Sequence, residues 1–158
     1  DVTLGGELAS MQKERCVYCF HPHGILAGGF SWNGCWSEEF NRRAGKCNFL
    51  IDRLLRERNP IFKIICDLSG RLESLTLDNM RKFMGEGRNI ALMPGGFSDA
   101  TVFKFGQDRV VADTKLLLVT VKYALEHGYS IVPIYTFGES ETFHAMQSLL
   151  NRRLQLNA

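Results

Sequence analysis

At 158 residues and 45% hydrophobic, the chain has the size of one domain with a real core. Its 19 basic and 17 acidic residues nearly cancel to a net charge of +2, which removes the electrostatic case for nucleic acid as a main partner. Five cysteines, an odd number at irregular spacing, argue against a secreted disulfide framework and for a reducing compartment.

The opening DVTLGGELASMQKER is neither a signal peptide nor an anchor, and no apolar run reaches the roughly 20 residues that cross a bilayer, so the chain alone reads as soluble or peripheral. Its start at Asp1 rather than Met reads as a piece of something longer. Short apolar runs then alternate with amphipathic segments, without repeats or a linker, which is the rhythm of one α/β domain over 1–158. CVYCF, Cys16 to Phe20, is β-rich and stopped by Pro22, so HPHG sits where a strand ends. Arg42, Arg43, Lys46, Arg53, Arg56 and Arg58 form a basic cluster that suits either an anionic ligand or, more simply, a solvated helix face.

Asn59-Pro60 predicts a helix start, continued by Ile61 to Leu68 until Gly70, and Asp78 to Met84 predicts a second helix. NIALM, Asn89 to Met93, is a buried strand running into PGG. TVFKF and RVV, flanking Gly106-Gln107-Asp108, predict a small hairpin. Asp113 or Thr114 caps a helix through KLLLVTVKYALEH that Gly128 closes, and IVPIY, Ile131 to Tyr135, is a strand ending in TFGE. Three strands, near 16–20, 89–93 and 131–135, thus each deliver a loop rich in Gly, Pro, His or carboxylate. Because sites in open α/β sheets form beside the carboxyl ends of strands, HPHG, PGGFSD and FGES are expected to meet.

Each motif has more than one reading. HPHG is either a rigid corner whose imidazoles satisfy backbone groups, or a mount on which Pro22 and Gly24 set the geometry and a histidine works as a base near neutral pH. A third reading joins Cys16, Cys19, His21 and His23 into a zinc site, but strand alternation points the two thiols to opposite faces. The glycines of PGGFSD either make an ordinary turn or offer backbone N–H groups to an anion. No dinucleotide fingerprint, Walker loop or G-x-S-x-G elbow is present. Asp99 and Glu139 are the carboxylates placed to orient a histidine, or else to cap helices.

In order, YCFHPHGILAGG, ALMPGGFSDAT and VKYALEHGYSIVPIYTFGES resemble the signature blocks of the type 2 diacylglycerol acyltransferase family, which includes monoacylglycerol and wax-alcohol acyltransferases; the wording is most similar to the algal and protist branch. The resemblance runs from about Arg15 to Phe143. It implies an α/β fold with a mixed sheet flanked by helices, similar to that of glycerolipid acyltransferases and incomplete here. The implied enzyme of the endoplasmic-reticulum membrane, or of the lipid-droplet surface, transfers an acyl group from acyl-CoA, a co-substrate rather than a cofactor, to diacylglycerol or a related lipid alcohol. No metal is implied, and a homo-oligomer is left open. His21 aligns with the wider group's histidine and becomes the base, with His23 supporting the turn or touching substrate. Asp99 stands where the family carries glutamate, Gly95, Gly96 and Phe97 become oxyanion donors, and Gly138 and Glu139 lie near the site. His127 and His144 are left surface or packing roles.

Four departures accompany the resemblance. Five residues after His21 stands Leu26, where the wider group has aspartate. Leu117 to Thr120 replaces an Arg-x-Gly-Phe stretch, leaving Lys115 and Lys122 as the nearest cations for coenzyme A phosphates. The family's apolar segment before HPHG is missing, and so is the long stretch after FGE. The alternative to an enzyme is therefore a catalytically inactive member or fragment that binds lipid or a partner.

Overall fold

Five strands form one sheet in the computed structural model of the chain, which describes residues 14–111 and 113–143. They are β1 (Cys16–His21), β2 (Cys47–Ile51), β3 (Leu72–Ser74), β4 (Asn89–Leu92) and β5 (Ser130–Tyr135), ordered β3-β2-β4-β1-β5. The α/β class expected from sequence is what the chain adopts, and among the described residues the pairings within the sheet are all parallel. Parallel pairing follows from the connections, since helical segments carry the chain back between successive strands.

Those segments are α1 (Gly28–Phe30), which runs into a π-helical turn at Ser31–Cys35, α2 (Glu38–Ala44), α3 (Arg53–Arg58), α4 (Pro60–Ser69), α5 (Leu77–Gly85), α6 (Gly96–Val102) and α7 (Thr114–His127). Ser37, Asp52, Asn59, Thr76 and Asp113 cap α2, α3, α4, α5 and α7 by accepting first-turn N–H groups.

Strand alternation divides the core. Cys16, Tyr18 and Phe20 of β1 point to one face and join Phe30, Phe40 and Phe49, whose rings meet mostly edge to face or tilted. Val17 and Cys19 point to the other, where Leu50, Ile90 and Leu92 meet Met80, Phe83 and Met84 of α5 and Tyr123 of α7. Cys16 and Cys19 therefore lie on opposite sides of the sheet. Burial on both faces explains why these strands read as continuous apolar runs.

Two expectations are corrected. The hairpin over 101–111 does not form: Thr101 and Val102 complete α6, and an isolated bridge between Lys104 and Gln107 stands in its place. Asp108, expected in its turn, instead accepts hydrogen bonds from Tyr135 Oη at 2.6 Å and from Ser140 Oγ. The basic cluster is divided as well, because Arg42 and Arg43 grip Glu39 on α2 while Arg56 reaches Asp67 at 2.7 Å. No helix among the described residues is long and apolar enough to cross a membrane.

Candidate active site

Because β4, β1 and β5 are neighbours in a parallel arrangement, the loops leaving their carboxyl ends emerge side by side. Three cross-links tie them together. The His21 carbonyl accepts the Thr136 N–H at 2.7 Å, joining the first loop to the third. Asp99 Oδ2 accepts the His23 N–H at 3.1 Å, joining the second to the first. Glu139 accepts Gly28 N–H at 2.8 Å through Oε1 and Gly29 N–H at 2.7 Å through Oε2.

The two histidines differ in their surroundings. His21 ends β1 and is followed by buried Pro22 through a cis peptide bond. Its ring is partly buried, and Nδ1 is enclosed without a hydrogen-bond partner among the described residues. Burial pulls the His21 pKa below the usual imidazole value, while the nearby Asp99 charge acts in the opposite sense. His23 Nδ1 lies 3.0 Å from the Gly24 carbonyl oxygen. A carbonyl only accepts, so Nδ1 carries the hydrogen there, and in the neutral ring Nε2 keeps its lone pair.

Asp99, in the first turn of α6, is only 5% exposed, and burial raises its carboxyl pKa against the opposing pull of the His23 N–H, the two histidines and the Val111 N–H. It supplies the carboxylate beside the histidines that the position five residues after His21 cannot, since Leu26 there is an exposed aliphatic side chain. Gly24 shows why the motif ends in glycine. Its φ is +61°, and a Cβ would stand 2.5 Å from Glu139 Oε1.

The second loop separates its three candidate donors. The Gly96 N–H donates to the Met93 carbonyl at 3.0 Å and is committed within the turn, a correction to its expected availability for an oxyanion. Gly95 is buried so closely that a Cβ would meet the Val111 carbonyl oxygen at 2.2 Å. The Phe97 N–H lies in the first turn of α6, where helix geometry supplies no acceptor and no side chain caps the end.

Gly138, at φ +78°, turns the chain into a short 3-10 turn at Glu139–Glu141. Glu139 is 2% exposed with both oxygens on the Gly28 and Gly29 backbone, so it holds the first loop and does not face a substrate. Lys115 stays near the second loop, because the cap of its helix, Asp113, donates its N–H to the Pro94 carbonyl at 2.9 Å. Lys122 lies about 10 Å further along α7 and pairs with Glu126 at 3.8 Å. The two lysines are thus not one site. His127 packs its ring toward Tyr123 and gives its carbonyl to Arg15, away from the loops, and His144 lies outside the described residues.

Two contributors escape sequence reading. Thr136 joins the first loop through its N–H and packs its side chain where a Cβ on Gly29 would stand, and Asp108 straps the 103–108 segment to the third loop, where the Ser140 and Tyr135 hydroxyls hold its carboxyl below the usual range. Gly-Gln-Asp reads as a turn and carries no signal of that contact. Among the described residues, no group of three or more His, Cys, Asp or Glu side chains is arranged to hold a metal ion.

A family profile described as diacylglycerol acyltransferase matches residues 2–156. Diacylglycerol O-acyltransferase 1 of Eremothecium gossypii is 28% identical over 140 residues, covering 85% of this chain and 29% of that protein. Diacylglycerol O-acyltransferase 2 of Homo sapiens is 28% identical over 135 residues, covering 80% of this chain and 33% of that protein. Diacylglycerol O-acyltransferase 2A of Umbelopsis ramanniana is 26% identical over 149 residues, covering 90% and 41% respectively. The chain spans about a third of the length of these curated relatives. No solved structure matches it. With the profile covering nearly its whole length, and with HPHG, PGG and FGE brought to one edge of the sheet, the chain belongs to the diacylglycerol acyltransferase family, the type 2 family that its motifs resemble.

Proposed function

We propose that the chain is the core of an acyl-CoA-dependent O-acyltransferase that esterifies the free hydroxyl of diacylglycerol to give triacylglycerol. The observation that carries this reading is the convergence of three loops around two histidines and one buried carboxylate, in a chain of this family. His21 takes the proton of the lipid hydroxyl as that oxygen attacks the thioester carbonyl of acyl-CoA. The C–O bond forms, the C–S bond breaks, and the imidazolium returns the proton to the departing thiolate, so no covalent acyl-enzyme is needed. Burial supports this role by keeping the His21 ring neutral at physiological pH, and the Asp99 charge stabilises the imidazolium once it forms. The tetrahedral intermediate takes the Phe97 and Gly95 N–H groups as donors, each such bond being worth about 2.7–4 kcal/mol.

His23 is the competing base. What favours it is its bond to the Gly24 carbonyl, which fixes the tautomer with Nε2 as the acceptor. In either case the setting is the endoplasmic-reticulum membrane or a lipid-droplet surface, where both acyl-CoA and the acceptor are found. Expression of the full-length parent protein in a host unable to make neutral lipids tests the reading. Triacylglycerol in the lipid extract is the expected result, wax ester would move the acceptor to a fatty alcohol, and neither product would remove the enzyme reading.

A further inference from the structure

A helix that lies against a protein core is expected to be apolar on one face and polar on the other. Helix α4 is apolar on both. Phe62 and Cys66 face the core with the Phe20–Phe49 cluster. Ile61, Ile64, Ile65 and Leu68, spaced i, i+3, i+4 and i+7, face outward, with Ile61 72% and Leu68 77% exposed. Helix α3, packed beside α4, adds Leu54 and Leu55, also exposed. Helix α3 begins at the end of β2, so the start of this patch lies on the sheet edge from which the catalytic loops emerge.

The charges around the patch carry a small cationic excess. Along α3, its cap and α4 the chain carries Arg53, Arg56, Arg58 and Lys63 against Asp52, Glu57 and Asp67. Arg56 is held by Asp67 and Glu73, and Arg53 is loosely paired with Glu57 at 3.9 Å. Arg58 and Lys63 have no ion-pair partner among the described residues. An apolar helical face bordered by uncompensated Arg and Lys is the pattern that lies in a membrane interface, with aliphatic side chains below the headgroups and cations against anionic lipid.

We infer that the outer face of α3 and α4, Leu54, Leu55, Ile61, Ile64, Ile65 and Leu68, docks on an anionic lipid surface. This deepens the proposed function, because it sets the edge of the sheet that carries His21 and Asp99 toward the phase that holds a water-insoluble acceptor. A protein partner would need complementary acids opposite Arg58 and Lys63, whereas anionic headgroups supply that charge wherever the apolar face inserts.

The test uses the 158-residue chain, with sedimentation on vesicles of phosphatidylcholine alone and of phosphatidylcholine with about 30% phosphatidylserine. Three proteins are compared: the wild type, the pair Ile61→Ser with Ile64→Ser, and the pair Arg58→Glu with Lys63→Glu. Both substitution pairs lie at exposed positions, and circular dichroism reports whether the fold is kept. The wild type is expected to bind the anionic vesicles, with about tenfold or greater loss of partitioning in each variant pair. Should the serine pair fail to fold, the charge pair alone decides. Equal binding by the variants, no vesicle binding by the wild type, or a soluble oligomer that the serine pair dissolves would each overturn the inference. Acyl transfer to diacylglycerol dispersed in detergent is measured in parallel in the full-length protein, with and without the same substitutions. Activity there that survives the substitutions separates failure of docking from failure of the enzyme reading, which would abolish it in the wild type as well.

Discussion

Glu139 holds Gly29 across 110 residues of sequence, accepting its N–H at 2.7 Å through one carboxylate oxygen while the other takes the neighbouring Gly28 N–H. The loop that follows HPHG is therefore shaped from the far edge of the sheet. Glu139→Gln replaces one acceptor with an NH2 group that faces an N–H donor, leaving a buried pair of donors opposed. Denaturant unfolding is expected to show a loss of about 1–3 kcal/mol, with acyl transfer falling in step. An unchanged midpoint would remove Glu139 from the support of the loop.

Gly24 makes the converse point. Alanine there must hold φ near +61° and place a methyl group 2.5 Å from Glu139 Oε1. The left-handed conformation alone costs about 1–2 kcal/mol, and the contact adds to it. Thermal unfolding of Gly24→Ala should therefore begin well below that of the wild type. If the melting curves superpose, the Gly24–Glu139 approach is not as tight as described.

Asp99→Asn keeps the size of the side chain and removes the charge beside both histidines. The imidazolium formed during proton transfer then loses its counter-charge. We expect kcat to fall about a hundredfold, the lower end of the range of general base catalysis, with KM for acyl-CoA little changed. A change confined to KM would instead assign Asp99 to substrate binding.

The pH dependence has a defined sign. Burial sets the folded His21 pKa below its unfolded value near 6.5, so between those two values the unfolded chain binds more protons. The contribution of His21 to stability is complete above about 6.5 and is lost as pH falls toward the folded value. Asp99 behaves oppositely, since its folded pKa is raised above the reference 3.8 and its contribution is lost as pH rises through that raised value. Unfolding free energies measured from pH 7 downward should therefore fall less steeply in His21→Asn than in the wild type. Parallel slopes would show that His21 is not buried in the folded chain.

Much of this arrangement is legible in the sequence. Cys16 to Phe20, Asn89 to Met93 and Ile131 to Tyr135 are apolar runs ended by Pro, Gly or both, and they are the three neighbouring strands that carry the site. The helices over 60–69, 77–85 and 114–127 are announced by Asn59-Pro60, by the glycines at 85 and 87, and by Asp113 with Gly128. Strands β2 and β3 are not visible in the same way. β2 is short and carries Asn48 as its second residue, and three residues of β3 are too few to display a period of two. The hairpin expected over 101–111 is replaced because the helix beginning at Gly96 takes up Thr101 and Val102, the start of the first of its β-rich runs. Candidate residues could be named from motifs, but not their partners. Glu139 binds backbone N–H groups, which every residue type except proline offers, so nothing in the sequence marks Gly28 and Gly29 as its targets. Gly96 reads as an anion donor until its N–H is found committed to Met93.

The central claim is that a histidine of HPHG, His21, removes the proton from a lipid hydroxyl. The most direct measurement is acyl-CoA-dependent ester formation by the full-length protein carrying His21→Ala, compared with wild type and with His23→Ala, after circular dichroism has shown that each is folded. We expect His21→Ala to lose at least about a hundredfold in rate, with His23→Ala retaining measurable turnover. Near-wild-type ester formation by a folded His21→Ala protein would contradict the account.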